Sequence, residues 1–119
     1  MARVILTEEA REDFLDLDGA TRRLAAKGLV KLETEPEKRG QPLGRRSTTN
    51  LTNFRKLVVG NRSVRIVYQV RPNGDVVVVW VIGRRADNEA YELAMARLRL
   101  HGDPAIRSLA TSMEELWPR

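Results

Sequence analysis

Apolar residues near the start of the chain recur with a helical period. A short apolar run over residues 3–6 predicts a strand, and Thr7, followed by two glutamates, is a favourable N-cap for a helix. The apolar side of this helix consists of Ala10, Phe14 and Leu17. Its other faces carry Glu8, Glu9, Glu12, Asp13, Asp16 and Asp18. The pattern therefore predicts a short strand and an amphipathic, acidic helix.

Gly19 interrupts this pattern. A second helix is predicted from about Ala20 to Glu35, because Pro36 cannot continue it. One side of this helix is apolar and comprises Leu24 or Ala25, Leu29 and Leu32. Two consecutive helices separated by a glycine predict a helical hairpin.

The second half of the chain has the period of β-strands. Apolar-rich stretches at 51–59, 63–71 and 76–82 are separated by turn residues at 60–61 and 72–75, which predicts an antiparallel meander. One face of the middle strand consists of Val64, Ile66, Tyr68 and Val70, and the other of Arg65, Val67, Gln69 and Arg71. We expect the first face to pack on the helices and the second to stay available for another use.

The last part of the domain combines a buried strand with a helix. The β-branched run at 76–79 is typical of a central strand buried on both sides, and residues from Asn88 to Leu100 have a helical pattern. We therefore predict an α+β fold: an N-terminal strand and a helical hairpin packed on an antiparallel sheet of about four strands, followed by a C-terminal helix. The domain should span residues 1–100, and 101–119 should form a helical extension.

Composition excludes several kinds of site. The chain has no cysteine and one histidine, so disulfides, thiolate metal sites and histidine clusters are excluded, and we predict no cofactor. The longest apolar stretch, at 76–82, is too short to cross a bilayer, and the N-terminus lacks a run of signal-peptide length. We therefore expect a cytoplasmic protein with no membrane partner.

Positive charge is concentrated in the middle of the chain. The net charge is −2 for residues 1–35 (six basic, eight acidic), +7 for 36–65 (eight basic, one acidic) and 0 for 66–119 (seven of each). A polyanionic partner and a merely solvated face both account for such a segment, so charge alone leaves the choice open.

Four segments in order resemble the RelE/ParE superfamily of toxins from type II toxin-antitoxin systems. They are FRKL at 54–57, VRIVYQV at 64–70, VVVVWVIGRR at 76–85 and EAY at 89–91. The similarity covers about residues 3–100 and is greatest to the RelE-like branch. It implies a ribosome-dependent mRNA endoribonuclease that cuts mRNA in the A site, with the ribosome, mRNA and a cognate antitoxin as partners.

The resemblance also assigns residues. Arg65, Arg85 and Tyr91 match the catalytic arginines and tyrosine of that branch, and Lys56 matches one of its two strand lysines. Val58 occupies the position of the second lysine, which puts the activity in question. We further expect RNA contacts from the other central arginines and from the basic pair: Arg45, Arg46, Arg55, Arg62 and Arg84.

RNA cleavage without a metal needs a base for the 2′-hydroxyl, a proton for the 5′-oxygen and positive charge around the phosphorane. The resemblance implies Tyr91 as the base, Arg85 as proton donor or charge stabiliser, and Arg65 with Lys56 as a phosphate clamp. Both Tyr91 and Arg85 are then expected to be partly exposed. A packing role for Tyr91 and a solvated role for Arg65 remain open.

Two other functions remain alternatives. The ParE-like members of the superfamily inhibit DNA gyrase without being enzymes, and the absence of a lysine at Val58 favours that reading. A basic RNA-binding or ribosome-binding module without chemistry is supported by the +7 segment alone.

Overall fold

A computed structural model describes residues 2–42, 54–60, 64–71, 76–84 and 87–100. In chain order the elements are β1 (Arg3–Leu6), α1 (Glu8–Asp16), α2 (Gly19–Lys31), a 3-10 turn (Pro36–Lys38), β2 (Gln41–Pro42), β3 (Phe54–Val59), β4 (Val64–Val70), β5 (Val76–Gly83) and α3 (Asp87–Leu100). The predicted α+β class and order of elements are confirmed. The predicted extension at 101–119 lies outside the described residues.

Capping side chains define where the first two helices begin. The Thr7 hydroxyl accepts the Ala10 N–H at 3.1 Å, as the sequence predicted, and the Asp18 carboxylate accepts the Thr21 N–H at 2.8 Å. Asp18 is therefore the N-cap of α2. Helix α2 ends at Lys31, earlier than predicted, and Pro36 begins the 3-10 turn.

The five strands form one sheet in the order β1-β5-β4-β3-β2. Strands β3, β4 and β5 form the predicted antiparallel meander, and β5 is a central strand, as its β-branched run predicted. The sheet is mixed, however, because β1 pairs with β5 in parallel. A parallel pair is possible because β1 and β5 are separated in the chain by α1, α2 and the three strands β2, β3 and β4.

Both faces of the sheet are covered. Helices α1 and α2 cover one face, and their core includes Ala10, Ala25, Leu32, Val64, Ile66, Tyr68, Val77, Val79 and Ile82. Helix α3 covers the other face with a core that includes Phe54, Val67, Val78, Trp80, Val81, Tyr91, Met95 and Leu98. Of the two alternatives for α2, Ala25 is buried and Leu24 is exposed. The expectation that the Arg65 face stays uncovered is wrong for Val67, which belongs to the core under α3, and for Gln69, which is also buried.

A β-bulge separates the two halves of β5. Val67 pairs with Val81 but Tyr68 pairs with Val79, so Trp80 is an extra residue with no partner in β4. Trp80 and Val81 consequently both join the core under α3. The bulge shifts the alternation of side chains for the rest of the strand.

An ion pair joins α1 to α3 around the outer edge of β5. Both Arg97 guanidinium nitrogens donate to the Asp13 carboxylate, at 2.7 and 3.0 Å, and both side chains are about 85% buried. Asp13 also accepts the Ile82 N–H at 3.1 Å, and Arg97 donates to the Trp80 carbonyl at 2.8 Å. These are backbone groups of β5 beyond the end of β1. Asp13, which the sequence places off the apolar side of α1, is therefore largely buried in this ion pair.

Breaking this pair should destabilise the fold. Asp13→Ala and Arg97→Ala should each lower the free energy of unfolding by about 3 kcal/mol, because each leaves a partly buried charge without its partner. The double variant should lose much less than the sum of the two. Urea denaturation of the four proteins measures these values. Glu12→Ala, which removes an exposed carboxylate next to Asp13, is the control and should change the free energy of unfolding by less than about 0.5 kcal/mol. If the loss in the double variant equals the sum of the two single losses, Asp13 and Arg97 do not stabilise the fold as a pair.

Candidate functional site

Lys56 and Arg65 lie on the α3 side of the sheet. Lys56 pairs with Val67, a core residue under α3, and Arg65 is two residues before Val67 on the same strand, so the three side chains share one face. Lys56 and Arg65 are diagonal neighbours on adjacent strands, which places them roughly 7–8 Å apart. Both are half-buried. We name Lys56, Val58 and Arg65 the Arg65 cluster.

Val58 and Gly83 flank Arg65. Val58 is directly opposite Arg65 on β3, and Gly83 is directly opposite it on β5. Val58, which occupies the position of the expected second lysine, therefore places an apolar side chain in the centre of the cluster. Gly83 leaves the other side of Arg65 without a side chain, a feature that the sequence analysis missed and that a glycine ending an apolar strand could have indicated.

Tyr91 is in the core and not at the surface. Its side chain has no exposed area, and it packs from α3 against Val67 and Trp80 of the sheet. The expectation that Tyr91 is partly exposed is therefore wrong. The physical reason is that α3 uses the face carrying Tyr91, Met95 and Leu98 to bury the sheet. The residue lies on the correct side of the sheet for the cluster, but RNA cannot reach it in this conformation.

Arg55 lies on the opposite face from Lys56 and stabilises a turn. Its guanidinium donates to the Arg39 carbonyl at 2.7 Å and to the Gly40 carbonyl at 3.2 Å. Gly40 has a φ of +59°, and a Cβ there would overlap the Lys56 carbonyl, so a glycine is required at this turn. The contacts of Arg55 in the structure are those of a residue that holds the turn before β2.

Tyr68 belongs to the same turn. Its hydroxyl lies 2.9 Å from the Pro36 carbonyl and 2.7 Å from the Arg39 carbonyl, and can donate to one of them at a time. Burial raises the pKa of Tyr68 above its usual value, against the lowering effect of Arg55. Tyr68 is a core residue, as the sequence predicted.

Arg84 contacts the start of α2. Its guanidinium donates to the Thr21 hydroxyl at 2.7 Å and lies 4.0 Å from the Asp18 carboxylate. Hydrogen bonds from the Thr21 backbone and hydroxyl are the main cause that lowers the pKa of Asp18, and Arg84 adds to the effect. Arg84 therefore points to the α1/α2 side and away from the Arg65 cluster.

Four predicted residues, Arg45, Arg46, Arg62 and Arg85, lie outside the described residues. Among the residues that are described, no group of three or more His, Cys, Asp or Glu side chains is arranged to hold a metal ion. No helix in the described part of the chain is both long and apolar enough to span a membrane.

The fold of this chain is similar to that of toxins of known structure. The E. coli toxin RelE, as a doubly arginine-substituted mutant in the free state, is 25% identical, with a TM-score of 0.65 over 82% of this chain and 99% of that chain. The toxin-antitoxin complex RelBE2 from Mycobacterium tuberculosis matches at 25% identity, with a TM-score of 0.58 over 71% of this chain and 98% of that chain. The fold is therefore the RelE-like fold.

The sequence itself matches a family model. Residues 4–89 match the model described as ParE toxin of type II toxin-antitoxin system, parDE. The chain therefore belongs to the ParE toxin family within the RelE/ParE superfamily, and it is a toxin of a toxin-antitoxin system. Comparison with curated protein sequences gives no significant match.

The raised pKa of Tyr68 predicts a loss of stability in alkaline solution. A folded-state pKa above the unfolded value of about 10 stabilises the fold below pH 10, and that contribution is lost as the pH rises through the folded-state pKa. Tyr68→Phe should cost about 1 kcal/mol at neutral pH, through the lost hydrogen bond, and should weaken the decline above pH 10. Urea denaturation between about pH 7 and 11 measures both effects. Parallel pH profiles for the two proteins would argue against this role for Tyr68.

Proposed function

We propose that this toxin is a metal-independent mRNA endoribonuclease that acts on the ribosome and stops translation. The observation that carries the proposal is the Arg65 cluster: Lys56 and Arg65 share one face of adjacent strands, half-buried and beside α3. Two cations at diagonal positions can contact neighbouring oxygens of one phosphate, and a guanidinium can do so through two parallel hydrogen bonds. The 25% identity to E. coli RelE, over nearly all of that chain, supports the assignment to the RelE-like branch.

In the proposed reaction the 2′-hydroxyl of the RNA loses its proton to solvent water and attacks the adjacent phosphorus. The bond from phosphorus to the 5′-oxygen breaks, and the 5′-oxygen takes up a proton and leaves as a hydroxyl. Arg65 and Lys56 stabilise the negative charge that accumulates on the phosphorane oxygens, where partial burial strengthens the attraction. Arg85, two residues after Gly83, is proposed to supply further charge or the proton for the 5′-oxygen. Tyr91 is assigned to packing, since it has no exposed area.

We also propose a cognate antitoxin, the ribosome and mRNA as partners. The M. tuberculosis relative is a toxin-antitoxin complex, which supports an antitoxin for this chain. The +7 segment at 36–65 offers positive charge both to an acidic partner and to RNA. The predicted RNA contacts of Arg45, Arg46 and Arg62 belong to this proposal, whereas Arg55 and Arg84 already have structural partners.

DNA gyrase inhibition is the second candidate, and two observations favour it. The matching family model is that of ParE toxins, and Val58 places an apolar side chain beside Arg65 where a second lysine was expected. A gyrase inhibitor would need no catalytic set on this face.

Substitution of Arg65 tests the first candidate against the second. Arg65→Ala should lower mRNA cleavage by about two to three orders of magnitude, because it removes a charge that stabilises the transition state. Primer extension on mRNA from expressing cells measures the new 5′ ends. Arg71→Ala, an exposed arginine just beyond the end of the same strand, is the matched control and should cleave like the wild type. Growth arrest with reduced DNA supercoiling and no new 5′ ends in the wild type would replace the RNase proposal with gyrase inhibition.

Substitution of Tyr91 tests its assignment to packing. Tyr91→Phe keeps the ring in the core, so cleavage should stay within about tenfold of wild type, whereas Tyr91→Ala should lose about 3–5 kcal/mol of stability through the cavity it leaves. Cleavage is again read by primer extension, and stability by thermal unfolding. A loss of cleavage in a stably folded Tyr91→Phe protein would restore the general-base role and would require α3 to move on the ribosome.

A further inference from the structure

The outer surfaces of α1 and α2 carry opposite charges at matching positions. On α1 the exposed acidic side chains Glu8, Glu12 and Asp16 recur at intervals of four residues. On α2 the exposed basic side chains Arg23, Lys27 and Lys31 recur at the same interval. Helix α2 contains four basic residues and no acidic one.

None of these six side chains forms an ion pair with another described residue. Like charges four residues apart on one helix repel each other, so each stripe weakens its own helix. Large apolar side chains lie on the same surfaces: Leu15 is 54% exposed, Leu24 37% and Val30 63%. Exposed apolar side chains bordered by polar and charged ones are typical of a surface that binds a protein partner.

A partner that fits this surface must be basic opposite α1 and acidic opposite α2. RNA or DNA does not meet that requirement, because its phosphates would be repelled by the acidic stripe. A second copy of the chain meets this requirement. A two-fold axis that places α1 on the partner's basic α2 also places α2 on the partner's acidic α1. The equal spacing allows three ion pairs at each of the two contacts. If the paired helices run antiparallel, the register that joins Glu12 to Lys27 also places Leu15 opposite Leu24.

We propose that the free toxin forms a two-fold homodimer through α1 and α2. A helix of 13 residues is about 20 Å long, so two helices cover roughly 400 Å² on each protomer, which is at the low end for protein interfaces. The dimer is therefore weak and depends on concentration and salt. The dimer does not cover the Arg65 cluster, because that cluster lies on the opposite face of the sheet. The proposal does not depend on the proposed RNA cleavage.

Charge reversal on each helix tests the pairing. One variant carries Glu12→Lys and Asp16→Lys, and the other carries Arg23→Glu and Lys27→Glu. Asp16→Lys places a positive charge in the last turn of α1, where the helix dipole favours it. The other three changes are at exposed positions inside their helices, so both variants should fold. Neither should form a homodimer, because each presents like charges to its own copy. Mixing the two variants should give a heterodimer, because both contacts are then complementary again.

Sedimentation velocity of the full chain at rising concentration, at about 50 and 500 mM salt, measures association. The dissociation constant of the wild-type dimer should be at least about tenfold lower at the low salt concentration than at the high one. At low salt, each variant should have a dissociation constant at least about tenfold higher than that of the wild type. A wild type that stays monomeric at low salt, variants that associate like the wild type, or a mixture that stays monomeric would overturn the proposal. If the wild type is monomeric and binds a polyuridine probe, and only the α2 variant loses this binding, the basic stripe is instead a site for nucleic acid. If a reversed variant fails to fold by circular dichroism, Leu15→Ala and Leu24→Ala replace it and should each weaken the dimer.

Discussion

The outer edge of β5 beyond the end of β1 is closed by side chains and not by a strand. The Asp13 carboxylate accepts a backbone N–H of this edge, and the Arg97 guanidinium donates to a backbone carbonyl. Because the two side chains also bind each other, one ion pair satisfies the edge and holds α1 and α3 on opposite faces of the sheet. A buried edge without such partners would be costly, since unpaired backbone groups lose their hydrogen bonds to water. The double-sided packing of the sheet depends on this interaction.

The double-sided packing in turn limits where a functional site can be. On the α3 side of the sheet Val67 and Gln69 are buried, whereas Lys56 and Arg65 are half-buried. The two cations therefore lie where burial strengthens their attraction for an anion while a partner can still reach them. The bulge at Trp80 contributes by shifting the alternation of β5, so that Arg84 contacts α2 instead of joining the cluster.

Parts of the site could be predicted from sequence. The alternation of apolar and polar residues in the middle strand places Arg65 and Val67 on one face, whatever the rest of the fold does. The shared face of Lys56 and Arg65 follows from strand register, which the turn at Gly60 helps to set. The exposure of Tyr91 could not be predicted, because a helical apolar stripe does not reveal whether its tyrosine is at the centre or the rim of the contact.

The sequence by itself determined the elements, the fold class and the resemblance to RelE/ParE toxins, because local patterns of apolar residues, caps and turns are sufficient for these. Only the tertiary structure decided what covers each face and which charges are paired. Asp13 and Arg97 are 84 residues apart, and no periodicity links them. Arg55 and Arg84 were expected to contact RNA, but in the fold Arg55 donates to backbone carbonyls and Arg84 donates to the Thr21 hydroxyl. The physical reason is that hydrogen-bonding partners distant in sequence become neighbours only when the sheet is assembled.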